Sequence, residues 1–256
     1  MSRSCSWAAR CAVLVLLAIG TPALAQSGGR MPVPFGVGER LDYEVRFGSF
    51  KVGNGAMEVA GIQHVRGRET WHTVFTVQGG TFVYRVNDRN ESWIDTHTGN
   101  SLRFRQDLNE GGRDTERHFE IFPERAVFVE NGEPEVPSVK NPLDDGSFLY
   151  FLRTIPLTVG ETYSFDRYFR PDRNPVTIRV LRRERIRVPA GDFNAIVVQP
   201  VIKTKGIFSE NGHAEVWLSD DDNRIMLQMK SGLPFGSLNL YLKSYRPAQA
   251  RTSATP

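Results

Sequence analysis

Five histidines, His64, His72, His97, His118 and His213, are the side chains best suited to hold a metal ion or move a proton near neutral pH. None stands in the H-x-x-x-H or H-E-x-x-H spacing by which one helical turn brings two imidazoles to a single ion. Each lies alone among strand or turn residues, where a structural or solvent-facing histidine is the ordinary reading. The acidic run Asp220-Asp221-Asp222-Asn223 offers the oxygen ligands that calcium takes, but its acids are consecutive rather than alternate and no closing glutamate follows. A four-residue turn between two strands accounts for it as well. Neither a G-x-S-x-G elbow, a Walker loop nor a dinucleotide fingerprint occurs. No catalytic residue, metal or cofactor is therefore expected. A hydrolase of envelope polymers would need groups from separate strands to converge in a cleft.

Two clusters could bind rather than react. Arg179, Arg182, Arg183, Arg185 and Arg187 are the densest basic stretch. At period two, Arg183, Arg185 and Arg187 share one strand face, which could hold phosphate groups or an anionic glycan through charge-assisted bonds. The plainer reading is a solvated outer face, paired with Glu184 and nearby acids, that guards a strand edge. Apolar residues gather at Phe148 to Leu152 and again from Leu233 to Leu240. Phe148, Phe151, Leu152, Phe235 and Leu238 are candidate walls for an acyl chain if the fold encloses a cavity; core packing explains them equally.

The elements that must position these residues read as strands. Leu41, Tyr43, Val45 and Phe47 alternate with Asp42, Glu44 and Arg46, so one set faces a core and the other solvent. Trp71, Thr73, Phe75 and Val77 repeat the pattern, as do Leu102, Phe104, Gln106 and Leu108. There are about thirteen such runs, a count with the usual margin of sequence patterning. Turn chemistry separates them at Gly53-Asn54-Gly55, Arg66-Gly67-Arg68, Glu110-Gly111-Gly112, Asn131-Gly132, Ala190-Gly191-Asp192, Asn211-Gly212 and Asp221-Asp222-Asn223, and short connections imply antiparallel neighbours. One segment breaks the alternation: Asp144 or Asp145 can cap a short helix near 144–154 with an apolar stripe of Phe148, Leu149, Phe151 and Leu152. The expected fold is all-β and mainly antiparallel, a long curved meander of half-barrel or barrel-like form with that helix on its concave side. A closed barrel and a sandwich stay open as alternatives.

The N-terminus carries Arg3 and Arg10, an apolar run from Cys11 to Ile19, and Ala23-Leu24-Ala25. This is the pattern of a secretory signal peptide cleaved near Ala25, since a membrane anchor asks for roughly 20 apolar residues. The expected organisation is a signal peptide at 1–25, a flexible leader at 26–34, a single β domain at 35–246 and a disordered tail at 247–256, in a periplasmic or secreted protein. Cleavage would remove both cysteines and leave an almost neutral chain. No cysteine nucleophile, Cys-type zinc site or disulfide would remain, and nothing points to nucleic acid.

The stretches GERLDYEVRFGSFKVGNGAMEVAG, LDDGSFLYFLRTIPLTVGETYSF, RERIRVPAGDFNAIVVQP and AEVWLSDDDNRIMLQM together resemble the bacterial envelope family called domain of unknown function 3108. The likeness spans about Phe35 to Tyr245. Its motifs are turns and strand starts, so it implies fold and location and brings no catalytic residue. In style the family is similar to periplasmic carriers of lipoproteins, which makes a hydrophobic cavity worth seeking. The expected function is that of a non-catalytic periplasmic protein binding or carrying a lipid-like or other hydrophobic envelope molecule, for which an apolar cavity of several hundred Å³ is required. The alternative is a structural or interaction module that recognises an anionic glycan or a partner protein, in peripheral contact with the outer membrane or envelope proteins.

Overall fold

A computed structural model describes residues 29–80, 85–203, 214–233 and 236–249. The expected signal peptide, the expected Asn211-Gly212 turn, His213 and Phe235 lie outside these residues, as does the side chain of Leu238.

The strands are β1 (Arg40–Phe47), β2 (Phe50–Val65), β3 (Arg68–Gly80), β4 (Arg85–Asp95), β5 (Ser101–Glu110), β6 (Arg113–Phe122), β7 (Val127–Glu130), β8 (Val136–Pro137), β9 (Thr162–Phe165), β10 (Val176–Val188), β11 (Gly191–Val201), β12 (Glu215–Ser219), β13 (Met226–Leu233) and β14 (Gly236–Arg246). The one α-helix among the described residues, α1, is Asp145–Phe151. All fourteen strands form one antiparallel sheet in the order β8-β7-β6-β5-β4-β3-β2-β1-β14-β13-β12-β11-β10-β9. The first and last strands therefore pair in the middle, and the two edges belong to the centre of the chain.

The alternation in β1 works as expected: Leu41, Tyr43 and Val45 are buried while Arg40, Asp42 and Glu44 face outward. Phe47 departs from it and is exposed at the strand end. The β2–β3 turn uses Arg66 and Gly67, both at positive φ (49° and 77°), the backbone that a tight hairpin of the right twist requires. Gly53-Asn54-Gly55 is no turn but lies inside β2. Gly53 pairs with Gly79 of β3, and a Cβ on Gly53 would sit 2.1 Å from the Gln78 carbonyl oxygen. These glycines serve a close approach of two strands, which in sequence looks the same as turn chemistry.

Leu102 also departs from its expected face. The register shifts between Trp93 and Ile94, so that Trp93 opposes Arg103 and Ile94 opposes Ser101. Leu102 is the extra residue of this bulge. It packs with Val65 and Trp93 outside the main core, while Ser101 turns inward to Asp144.

The helix begins where the sequence places it. Asp144 is its N-cap, and a capping box with Ser147 closes the first turn. Phe148, Leu149, Tyr150 and Leu152 are buried in a cluster that runs from Leu41 to Leu242, so α1 fills the concave side of the sheet. The sheet is not closed by strand pairing. Residues 166–170, just after β9, lie across the opening instead: Phe169 packs at 5.2 Å on Phe119 and 5.1 Å on Phe128, and Arg170 binds Glu130 at 2.7 Å. Leu143 and Tyr168 form an isolated parallel bridge beside them. The two edges thus meet through side chains and a loop.

The stretch expected as a flexible leader is tied down where it is described. Met31 donates its N–H to the Thr96 carbonyl at 2.8 Å, Met31 and Val33 pack on the core, and the Phe35 ring lies 5.2 Å from Trp71 and 4.9 Å from Tyr150. These apolar side chains cover the open side of α1, which would otherwise face water. At the other end, Gln249 donates its N–H to the Val37 carbonyl, so the start of the expected tail is also held.

Candidate functional site

Phe148 and Leu152 are wholly buried in the main core. Phe151 is partly buried, 5.1 Å from the Phe165 ring and under the Arg167 guanidinium at 4.8 Å. Beside it Tyr150, Phe35, Trp71, Met31 and Val33 border a recess of only about 80 Å³. An acyl chain needs several times that space. This recess is therefore too small for an acyl chain; α1 and the rings of Phe104, Phe119, Phe128 and Phe169 fill the interior beside it.

Arg183, Arg185 and Arg187 do share one face of β10, and all are exposed. Each has an acidic neighbour, however. Arg183 binds Asp220 at 3.0 Å, while Arg187 at 2.6 Å and Arg185 at 3.5 Å share Asp192. The acids come from β11 and the β12–β13 turn, so the neutralisation is invisible in the run of arginines itself. Asp221 accepts bonds from Ser219 Oγ, Asn223 N and Arg224 N, which makes the acidic run a capped turn. His118 does meet Glu116 and Asp107, whose ligand atoms lie within 4.8 Å of one another. Arg105 donates to both acids at 3.0 Å, and its charge would repel a cation there.

A recess lies on the opposite face of the sheet, a groove of about 560 Å³ crossing β14, β1, β2, β3 and β4. Its floor is Ala56 and Val74, both buried, whose small side chains leave the volume. Its walls are Arg40, Asp42, Asn54, Glu58, Thr76, Gln78, Arg89, Lys243 and Ser244. These are the solvent-side positions of strands that bury their other face. A second bulge completes the set: Asp42 opposes Ser244 and Tyr43 opposes Leu242, which leaves Lys243 as the extra residue and brings it to the groove beside Ser244.

One side of the groove is locked. Arg40 donates to Asp42 at 2.9 Å and also binds Glu58, and Ser244 Oγ donates to Asp42 at 3.0 Å. Arg89 grips Glu91 with two bonds of 3.0 Å, and His72 Nε2 meets the same carboxylate at 2.7 Å. Burial acts to raise the Glu91 carboxyl, but the bonds from Arg89 and His72 outweigh it and hold the group below the ordinary range. The His72 ring stacks on Trp93 at 4.7 Å, and Trp93 Nε1 donates to Gln63 at 2.7 Å. The other side is unpaired: among the described residues, the side chains of Asn54, Thr76, Gln78 and Lys243 have no hydrogen-bond or ion-pair partner. Sequence reasoning missed this site because its members come from five strands and carry no local motif. The one signal was Gly53-Asn54-Gly55, read as a turn.

Residues 42–243 match the model of DUF3108, described as a protein of unknown function. The chain belongs to the DUF3108 family. The resemblance seen in its turn and strand-start motifs is thereby shown over most of its length. Among solved structures, this DUF3108 chain is similar to a beta-barrel-like protein of domain of unknown function DUF1849 from Brucella abortus, with 12% identity and a TM-score of 0.55 over 84% of this chain and 100% of that one. It is also matched, at 10% identity and a TM-score of 0.32, by a protein with a YmcC-like fold from Bacteroides fragilis, over 85% and 100% of the two chains. The first likeness agrees with the curved, barrel-like sheet of this DUF3108 member. No curated protein matches the chain in sequence.

Proposed function

We propose that this DUF3108 protein is a non-catalytic recognition module of the bacterial envelope that binds a polar, anionic glycan in the groove across β14 to β4. The observation that carries the reading is the groove itself: about 560 Å³ with four hydrogen-bonding side chains, Asn54, Thr76, Gln78 and Lys243, that the protein leaves unpaired. Amide, hydroxyl and ammonium groups on a fixed sheet suit the many hydroxyls of a sugar, and Lys243 alone among the three cations lacks an acid, so it favours a ligand carrying a carboxylate or phosphate. The Arg3-to-Ala25 pattern supports an exported location. The small recess beside α1, about 80 Å³, favours this reading over a lipid carrier.

Calorimetric titration with uronic-acid and phosphorylated oligosaccharides tests this. Binding should appear for at least one anionic series, weaken about tenfold or more in Lys243→Glu, and fall with added salt. Binding unaffected by Lys243→Glu and Asn54→Leu would overturn the groove as the site. Lipid co-purifying in a fixed ratio, with no glycan bound, would restore the carrier reading.

A further inference from the structure

We infer that the tip of the β1–β2 hairpin docks on the surface of an anionic lipid bilayer. Phe47 and Phe50 are cross-strand partners that flank the Gly48-Ser49 turn. Phe47 is 37% exposed and Phe50 78%, the latter the greatest exposure of any large apolar side chain among the described residues. Turns at strand ends are ordinarily built from polar residues and glycine, and this one presents two phenyl rings to water.

Directly behind the rings, Arg46 and Lys51 form the next cross-strand pair. Both reach the same carboxylate, Glu44, at 2.8 and 3.5 Å, so the tip keeps a net positive charge. By strand alternation the start of β4 comes to this same end of the sheet, with exposed Arg85, which has no acid partner among the described residues. The order along the hairpin is therefore aromatic tip, then cations one residue step back. That order matches the layering of a bilayer surface, with rings at the acyl boundary and ammonium and guanidinium groups at the phosphates. A second protein is a poorer match, because two rings on a narrow ribbon offer far less than the roughly 1,000 Å² that a stable interface buries.

The chain from Gln26 onward contains every described residue and no cysteine, so Phe50→Cys can carry a single environment-sensitive fluorophore. With vesicles of phosphatidylglycerol and phosphatidylethanolamine, the emission should shift to the blue and brighten. The response should be weaker with phosphatidylcholine alone and should decline as salt rises. In co-sedimentation, Phe47→Ser/Phe50→Ser should bind these vesicles about ten- to a hundredfold more weakly, with an unchanged melting temperature because neither ring supports the core. No spectral change on any vesicle, or equal sedimentation of the double variant, overturns the inference. A blue shift that grows with protein concentration without vesicles would assign the tip to a second copy and also overturn it.

Discussion

Arg153 is the side chain whose loss should reach furthest through the molecule. It lies just past α1, is 1% exposed in its side chain, and holds the equally buried Glu39 through bonds of 2.6 and 3.0 Å. It also donates to the carbonyls of Pro34 and Asn223, at 2.9 Å each. One guanidinium thus ties the helix end to the entry of β1, the N-terminal stretch and the β12–β13 turn. Replacing it by Met leaves a carboxylate buried without a partner, a cost of about 3–5 kcal/mol, and removes the donor from two carbonyls, roughly 1 kcal/mol each. A loss of about 5 kcal/mol corresponds to a drop of about 10–20 °C in Tm for a chain of this size. Glu39→Leu combined with Arg153→Met removes both charges and should recover about 2–3 kcal/mol, leaving the carbonyls as the residual cost. Urea denaturation followed by tryptophan fluorescence gives all four corners of this cycle. Purely additive effects, or a loss below about 1 kcal/mol in Arg153→Met, would refute the reasoning.

Two further outcomes follow from buried features. Burial lifts the Asp144 carboxyl from 3.8 to about 6, against the bonds donated by Ser101, Ser147 and Ser92. The folded state therefore holds this proton more tightly than the unfolded chain, and its contribution to stability grows as pH falls through 6 and is complete below 3.8. The wild-type profile should gain about 3 kcal/mol relative to Asp144→Asn between pH 7.5 and pH 3.5, and parallel denaturation profiles would exclude it. Gly53→Ala should cost about 1–3 kcal/mol by forcing β2 and β3 apart, and under the proposed function should weaken glycan binding; an unchanged urea midpoint would show that the strands have slack there.

The fold was legible where a local rule operates. Period-two alternation gave β1, a cap at Asp144 or Asp145 followed by an apolar stripe gave α1, and the Arg66-Gly67-Arg68 turn gave its hairpin. Leu102 and Lys243 were misplaced or overlooked because a bulge depends on the partner strand, which the run of residues does not display. The same holds for Arg183 to Arg187, whose acids Asp220 and Asp192 are supplied by other elements. Phe148 and Leu152 were read correctly as apolar and inward, yet whether inward means wall or filling depends on how tightly the sheet curls around α1. Five-strand convergence at Asn54, Thr76, Gln78, Arg89 and Lys243 has no counterpart in any contiguous stretch.

The pairing of β1 with β14 governs the order in which the molecule can be assembled. As the chain emerges from N- to C-terminus, β1 to β8 can zip one hairpin at a time, but the outer flank of β1 stays a naked edge until the last strand arrives. A chain cut short before Gly236 exposes what should be the middle of the sheet, a template for pairing with other chains. Closing that central seam joins residues some two hundred positions apart, the kind of late, non-local step that slows folding. The stable core forms only when the final strand has taken its place in the middle of the sheet.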